Sequence, residues 1–354
     1  MPSSIDLPYL EGGVPLLSFV LCSRNDDHQG SPVWRLGTVL DFLAQSAERA
    51  GCIDDVEVVV ADWGSDVPLR EALSLSARAA RLTRFLEVPP GVAIDAAGDS
   101  PFPEVLALNC AVRSSRGRFV GRIDQDTLVD ARFLEGVLGV LRRPAAERAF
   151  LFMGRRSIPY PIASRRPSIT ALSELIARHG RTLPREGRGA RPWFDAPTGV
   201  ALAARALWLE CGGYDERLRY WGFMEADLGL RLGSRYPTVD LGRLVGTHAF
   251  HLEHAQRLFD RTARRKNPRR SPVAFHPNGP GWGLAALDLP LRAGEAAPRQ
   301  TRGAGADPSG LRVATAIAER TLQEFALATS RRLMHAVGRH PADAASDPGR
   351  NSSS

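Results

Sequence analysis

Apolar residues fall along this chain in short runs of two kinds, and the alternation between them predicts the architecture. Leu16–Leu21, Val56–Ala61 and Thr83–Val88 are compact apolar runs closed by turn-forming polar residues, the pattern of buried strands. Between the first two, Leu36, Val39, Leu40 and Leu43 recur at helical spacing within 34–50, and a second helix is predicted over 69–80. Strand, helix, strand, helix, strand is the order of a parallel sheet wound with helices, an α/β fold. A helix over 103–115, a strand over 118–123 and a helix over 133–141 continue it. The Arg-, Pro- and Ser-rich stretch 155–191 reads as an insertion over the sheet edge around one helical island at 168–179. A second unit follows, with a strand over 198–203, a turn at Gly212-Gly213 and a helix over 225–233. Beyond about residue 287 the composition shifts to Ala, Gly, Pro and Arg, with one amphipathic helix over 311–337 and a tail at 341–354 expected to be disordered.

Composition narrows this picture in three ways. With 354 residues, 44% of them hydrophobic, the chain can bury a substantial core, as one large α/β domain or two smaller ones. Its four cysteines, Cys22, Cys52, Cys110 and Cys211, form no CxxC pair, so neither a zinc knuckle nor a disulfide framework is indicated and a reducing cytoplasm is expected. Residues 1–13 carry no charged segment leading into an apolar stretch, and no window supplies about 18 consecutive apolar residues. The expectation is a cytoplasmic protein, peripheral to a membrane or docked on a protein at most through the C-terminal helix with Arg331 and Arg332. The net charge of +7 is almost all arginine, Lys266 being the only lysine. Those arginines are dispersed and accompany no helix-turn-helix, zinc-finger or RNP pattern, so nucleic acid is not an expected partner.

Candidate chemistry concentrates where a parallel sheet binds ligands, at the C-terminal strand ends. Arg24, Asn25, Asp62 and Ser65 stand there, and Asp124-Gln125-Asp126 directly follows the strand 118–123. Two carboxylates one residue apart can hold Mg²⁺ or Mn²⁺, which take few protein ligands and complete their shells with water and phosphate oxygens. Taken alone, the same triplet also suits a solvated surface turn. His248, His251 and His254 have a spacing that would share one helix face, but they follow a predicted strand, where alternate residues share a face, so a three-histidine zinc site is not expected. Trp193, Tyr220 and Trp221 offer flat faces for a sugar, and the basic run 261–270 reads equally as a loop over a diphosphate or as a solvated segment.

Taken in order, Ser23-Arg24-Asn25, Asp62-Trp63-Gly64-Ser65, Ala107-Leu108-Asn109, Asp124-Gln125-Asp126, Gly212-Gly213-Tyr214-Asp215 and Trp221 to Leu232 resemble the inverting GT-A glycosyltransferases. The likeness is to family 2 with a galactosyltransferase-type, chondroitin-polymerase-like C-terminal region, and it covers roughly residues 15–255. It implies a GT-A (nucleotide-diphospho-sugar transferase) fold with a mostly parallel central sheet flanked by helices. The implied division is an N-terminal extension (1–14), a glycosyltransferase domain (15–285) with a nucleotide-binding half (15–130) and an acceptor half (192–257), a helical extension (286–340) and the tail (341–354).

The resemblance also implies residue roles. The nucleotide-sugar donor, expected to be a UDP-sugar, would be lined by Ser23, Arg24, Asn25, Asp62 (at the uracil edge), Ser65, Asn109, Arg113, Asp124 and Gln125. Asp126 would ligate Mn²⁺ or Mg²⁺ with His251 completing the shell, and His248 is the second choice. Glu225 takes the position of the base that deprotonates a glycan or small-molecule hydroxyl, with Trp221, Gly222 and Asp227 as acceptor or sugar contacts. Where the family reads Glu-Asp-X-Asp this chain reads Met224-Glu225-Ala226-Asp227, which replaces the first carboxylate and suggests a more apolar acceptor subsite. For Asp62 a turn or helix-cap role, for Asn109 and Arg113 a solvated helix face, and for Glu225 and, better, Asp227 a dipole-stabilising role at a helix start are the structural alternatives. Two rivals stand beside this hexosyltransferase-type reading. A sugar nucleotidyltransferase would need a glycine-rich phosphate loop that Ser23–Asp26 lacks, and a catalytically silent carbohydrate- or nucleic-acid-binding protein would bind through its arginines.

Overall fold

The apolar runs nearest the N-terminus pair side by side in parallel, as β1 (Leu17–Ser23) and β2 (Val56–Trp63). Every residue of β2 is buried, which is why its sequence shows no inside-outside alternation: both faces of the strand are covered. These strands belong to a computed structural model that describes residues 13–27, 30–186, 198–254, 266–267, 274–297 and 312–323. β3 (Thr83–Val88) and β4 (Phe119–Arg122) flank the first pair, so that β3-β2-β1-β4 form a parallel core. Beyond β4 the sheet continues through β7 (Thr198–Ala204), β6 (Phe150–Ile158), β9 (Ala249–Leu252) and the two-residue β5 (Thr127–Leu128), with β8 (Thr238–Asp240) paired to β6. β7 runs antiparallel to both neighbours, which brings β6 and β9 back to the direction of the core strands. The result is the α/β architecture with a mostly parallel central sheet expected from the sequence.

Several boundaries differ from the sequence reading for identifiable reasons. The helix expected over 69–80 is two short ones, Leu69–Ala72 and Ala77–Leu82. Ser76 caps the second by accepting from Ala79 N, while buried Leu75 between them bridges to Ala296. Residues 155–158, expected in an insertion, form the end of β6, because the apolar run Phe150–Met153 starts a nine-residue strand that carries through them. Only the helix Ile169–His179 of that stretch is as expected. The helical extension expected from residue 286 begins with a strand, β10 (Leu291–Ala293), which adds antiparallel to β3. In the helix 312–323 Val313 and Ala316 are buried, so this part of its apolar face is used inside the protein, and Arg320 pairs with Glu253. No helix among the described residues is long and apolar enough to cross a membrane. Residues 1–12, the tail 341–354, the helix beyond 323, Trp193 and all of the basic run 261–270 except Lys266 and Asn267 lie outside the described residues.

Candidate functional site

Parallel register places the strand ends together. Ser23, the last residue of β1, lies opposite Asp62 on β2, and β4 delivers Asp124-Gln125-Asp126 one strand further over. Ser23 Oγ donates to Gln125 Oε1 at 2.5 Å, which ties the first strand end to the acidic triplet. The loop after β1 is joined to the loop after β2, where Asn25 N donates to Ser65 Oγ at 2.8 Å and Asn25 Nδ2 to the Val67 carbonyl at 3.0 Å. Asp62 organises that second loop, accepting from Ser65 Oγ through one oxygen and from Leu69 N at 2.7 Å through the other. Burial pushes its pKa up, against those two hydrogen bonds. Arg24 folds back on Asp26 at 2.7 Å, donates to the Pro101 carbonyl at 3.0 Å and lies over the Phe102 ring.

At the acidic triplet the two carboxylates have different surroundings. Asp126 is buried and faces two imidazoles: His251 Nε2 is 3.6 Å from Oδ1 and His254 Nε2 is 3.4 Å from Oδ2. One ligand atom from each of the three residues lies within 4.8 Å of the others, a spacing that a single cation can bridge. β9 explains the arrangement. His251 pairs in register with Thr127 of β5 and Ser157 of β6, the strand ends at Leu252, and the turn through Glu253 swings His254 back beside His251. The strand rule therefore fails across the strand end, and the residue it passed over is His254, while His248 is not part of this group.

Asp126 and His254 have protonation states that suit a metal centre, whereas His251 would have to lose a proton to bind one. Burial tends to raise the Asp126 pKa, but His251, His254 and Arg155 outweigh it and hold the carboxyl well below the usual range. Burial and Arg155 depress His251, yet Glu186 and Asp126 prevail and raise it to about 9. His254 is pushed down to about 4 by burial, against Asp126 and with the neighbouring His251 and Arg35 cations helping, which favours its neutral imidazole. His251 Nδ1 lies 2.5 Å from Glu186 Oε1, which fixes the ring and leaves Nε2 facing Asp126. Glu186 is itself held by Ser157 Oγ and Arg155 Nε, both at 2.6 Å. A carboxylate behind a ligating histidine is the usual support of such ligands, and no periodicity marked Glu186 for this role. Arg35 Nε, 3.8 Å from Asp126 Oδ2, is a further cation that the sequence reading did not select. One carboxylate and two imidazoles are a mixed oxygen–nitrogen set, which fits Mn²⁺ or another transition ion better than the all-oxygen preference of Mg²⁺.

Asp124, by contrast, is engaged by two arginines, Arg122 and, at 2.5 Å, Arg155. Arg122, at the end of β4, also reaches Glu104 at 3.0 Å and Glu225 at 3.1 Å, so one buried guanidinium joins Asp124 to the candidate base. Burial pushes Glu104 up to about 7, the Asp124 and Glu225 carboxylates adding to it against the pull of Arg122. Glu225 lies in the first turn of the helix Met224–Gly233, where the helix dipole favours an anion. The residue before that helix, Phe223, has φ 66°, a left-handed conformation that a bulky side chain adopts at a cost of order 1 kcal/mol. The strained turn is clasped by Asn267, whose side chain bonds the Tyr220 backbone at both N and O and the Gly222 carbonyl at 2.8 Å. Trp221 is left 55% exposed on this fixed loop, presenting a flat face.

The structure sets three expected contacts apart from this cluster. Asn109 is fully buried, accepting from Tyr214 N at 2.8 Å and donating to the Tyr214 carbonyl at 2.9 Å and to Glu216 at 3.0 Å. It clamps the Gly212-Gly213 turn, and Gly213 is needed there because a Cβ would come within 2.4 Å of Asn109 Oδ1. Arg113 stacks over the Trp282 ring at 4.9 Å. Asp227 is buried against Arg231 at 2.8 Å, and Arg231 in turn donates to the Cys211 and Gly213 carbonyls, a pair that ties the helix to the glycine turn.

No family model and no curated protein matches the chain. Among solved structures it is similar to the mannosyltransferase PcManGT from Pyrobaculum calidifontis in complex with GDP-Man and Mn²⁺, at 17% identity and TM-score 0.40 over 64% of this chain and 54% of that one. It is similar also to S. aureus TarS 1–349 in complex with UDP, at 12% identity and TM-score 0.40 over 66% and 59%. A third is the catalytic domain of Drosophila β1,4-galactosyltransferase 7 with xylobiose, at 9% identity and TM-score 0.39 over 73% and 77%. The chain thus spans less than two thirds of the length of the first two.

Proposed function

We propose that the protein is a metal-dependent, inverting glycosyltransferase of GT-A type that moves a sugar from a nucleotide-diphosphate donor, a UDP-sugar in the first instance, to an acceptor hydroxyl. The observation that carries this reading is the grouping of Asp126, His251 and His254 at the C-terminal edge of a parallel sheet, with Glu225 joined to the same edge through Arg122 and Asp124. Asp126, His251 and His254 would hold Mn²⁺, which when bound neutralises the departing diphosphate. Asp124 is a donor contact positioned by Arg122 and Arg155 rather than a ligand, and Ser23, Arg24, Asn25, Asp62, Ser65 and Gln125 shape the nucleotide end.

The step assigned to this chain's own residues is proton removal. As the acceptor oxygen attacks the anomeric carbon, the bond from that carbon to the diphosphate oxygen breaks and the hydroxyl proton passes to a Glu225 oxygen. Attack from the face opposite the leaving group inverts the centre in one displacement, so a single carboxylate suffices. Glu225 is suited to the task because its side chain is partly open to solvent while Arg122 fixes one oxygen at 3.1 Å. Trp221 offers the acceptor or sugar a stacking face beside Gly222. Asn109, Arg113 and Asp227 support the site from behind rather than touching donor or acceptor. A thermal-shift screen of UDP-, GDP- and dTDP-sugars with Mn²⁺ or EDTA tests the reading: stabilisation by one nucleotide series, dependent on Mn²⁺, is expected. No metal-dependent stabilisation by any of them would refute it.

A further inference from the structure

One face of β6 supports the Asp126–His251–His254 group through Glu186, and its other face gathers a different chemistry. Successive strand residues point to opposite faces, so while Arg155 and Ser157 reach Glu186, Arg156 points away from the centre. Arg156 pairs in register with Phe250 of β9 and, as an isolated antiparallel bridge, with Arg185. His248 precedes β9 by one residue, is half-buried and is not in the metal group.

Arg156 is 8% exposed; its Nη1 donates to the Leu183 carbonyl, and its Nε has no hydrogen-bond partner. Arg181 and Arg185 are exposed beside it, and neither they nor His248 make an ion pair among the described residues. The like charges act on one another. Burial, then Arg185 and Arg181, push Arg156 down to about 10, and burial followed by Arg156, Arg185 and Arg181 pushes His248 down to about 4. Among the described residues the acid that raises His248 is Asp240, which already caps the helix Leu241–Val245 and pairs with Arg243 at 3.4 Å. A buried guanidinium with an unmet N–H, crowded by like charges, is destabilised unless an anion joins it.

We propose that Arg156, Arg181, Arg185 and His248 form an oxyanion site, separate from the metal centre, that takes a tetrahedral phosphate or sulfate group. Arg156 is its floor, giving a charge-assisted N–H from a desolvated position; neutral His248 adds a ring N–H, and Arg181 and Arg185 close it from the solvent side. The site does not depend on the proposed transferase activity. The test is isothermal titration of the full chain in EDTA with inorganic phosphate and, separately, sulfate, at constant ionic strength, for the wild type, Arg181→Ala/Arg185→Ala and Asp126→Ala. Saturable binding in the wild type and Asp126→Ala, weakened at least tenfold in the double variant, is expected. A preference between the two anions identifies which group the site was built for. Retained Mn²⁺ binding by the double variant serves as its folding control, since both substituted side chains are exposed. Absence of saturable binding by either anion, or binding lost in Asp126→Ala but kept in the double variant, overturns the proposal.

Discussion

Glu186→Gln separates the support of a metal ligand from its protonation, and both effects can be worked from the geometry. Glu186 sits 2.5 Å from His251 Nδ1 with only 8% of its side chain exposed, so solvent screens the contact little. Removing a carboxylate in this position ordinarily weakens metal binding 10- to 100-fold, about 1.4–2.7 kcal/mol. A second effect opposes it. With His251 raised to about 9, metal binding at pH 7 must displace a proton, which lowers the apparent affinity by roughly two powers of ten. Glutamine keeps the size of the side chain but not the charge that sustains the raised pKa, so His251 falls back toward the ordinary histidine value near 6.5 and the competition largely disappears. At pH 7 the two changes nearly offset. The diagnostic is therefore the pH dependence: between pH 6.5 and 8.5 the wild-type Mn²⁺ Kd should fall about tenfold per unit rise in pH, and in Glu186→Gln the slope should flatten toward zero. Arg155 keeps Asp124 as a partner at 2.5 Å, so the variant should remain folded. Titration calorimetry in EDTA-stripped buffer reads both slopes. A wild-type affinity independent of pH, or an unchanged slope in the variant, would refute the reasoning.

Other substitutions follow from the same geometry. His254→Ala should weaken Mn²⁺ binding at least tenfold by calorimetry while His248→Ala leaves it within twofold; equal effects would remove His254 from the ligand set. Glu225→Gln keeps an oxygen for Arg122 and should lower kcat by about 10²–10⁴ with donor affinity unchanged, and full turnover would exclude it as the base. Asn109→Ala leaves Tyr214 N short of a partner, while the Tyr214 carbonyl keeps Asn278 at 2.6 Å, and should cost about 1–3 kcal/mol in urea denaturation without altering Mn²⁺ affinity.

The parts of this molecule that were legible in its sequence are those set by local pattern. β1, β2 and β3 are continuous apolar runs, and because consecutive parallel strands end on one side, Ser23, Asp62 and Asp126 could be assigned to one edge before their contacts were seen. What escaped depends on distant partners. Arg122 and Arg155 look like ordinary strand arginines, yet each binds two or more carboxylates that come from other elements. Glu186 lies in an arginine- and proline-rich stretch with no periodicity, and acts only because β6 and β9 bring His251 to it. His254 was discounted by a rule that holds within a strand, and it lies two residues past the end of β9. Asn109 and Asp227 fit a family motif, but their side chains are consumed in holding the Gly212-Gly213 turn and its neighbouring helix.

The central claim is that Asp126 belongs to a metal centre that receives a nucleoside diphosphate. Calorimetric titration of UDP, with GDP and dTDP in parallel, into the full chain with Mn²⁺, with EDTA, and into Asp126→Ala with Mn²⁺ tests it most directly. The account predicts saturable binding of one of these nucleotides to the wild type with Mn²⁺, and its loss in the other two conditions. Binding of equal strength in all three, or in none, would contradict it.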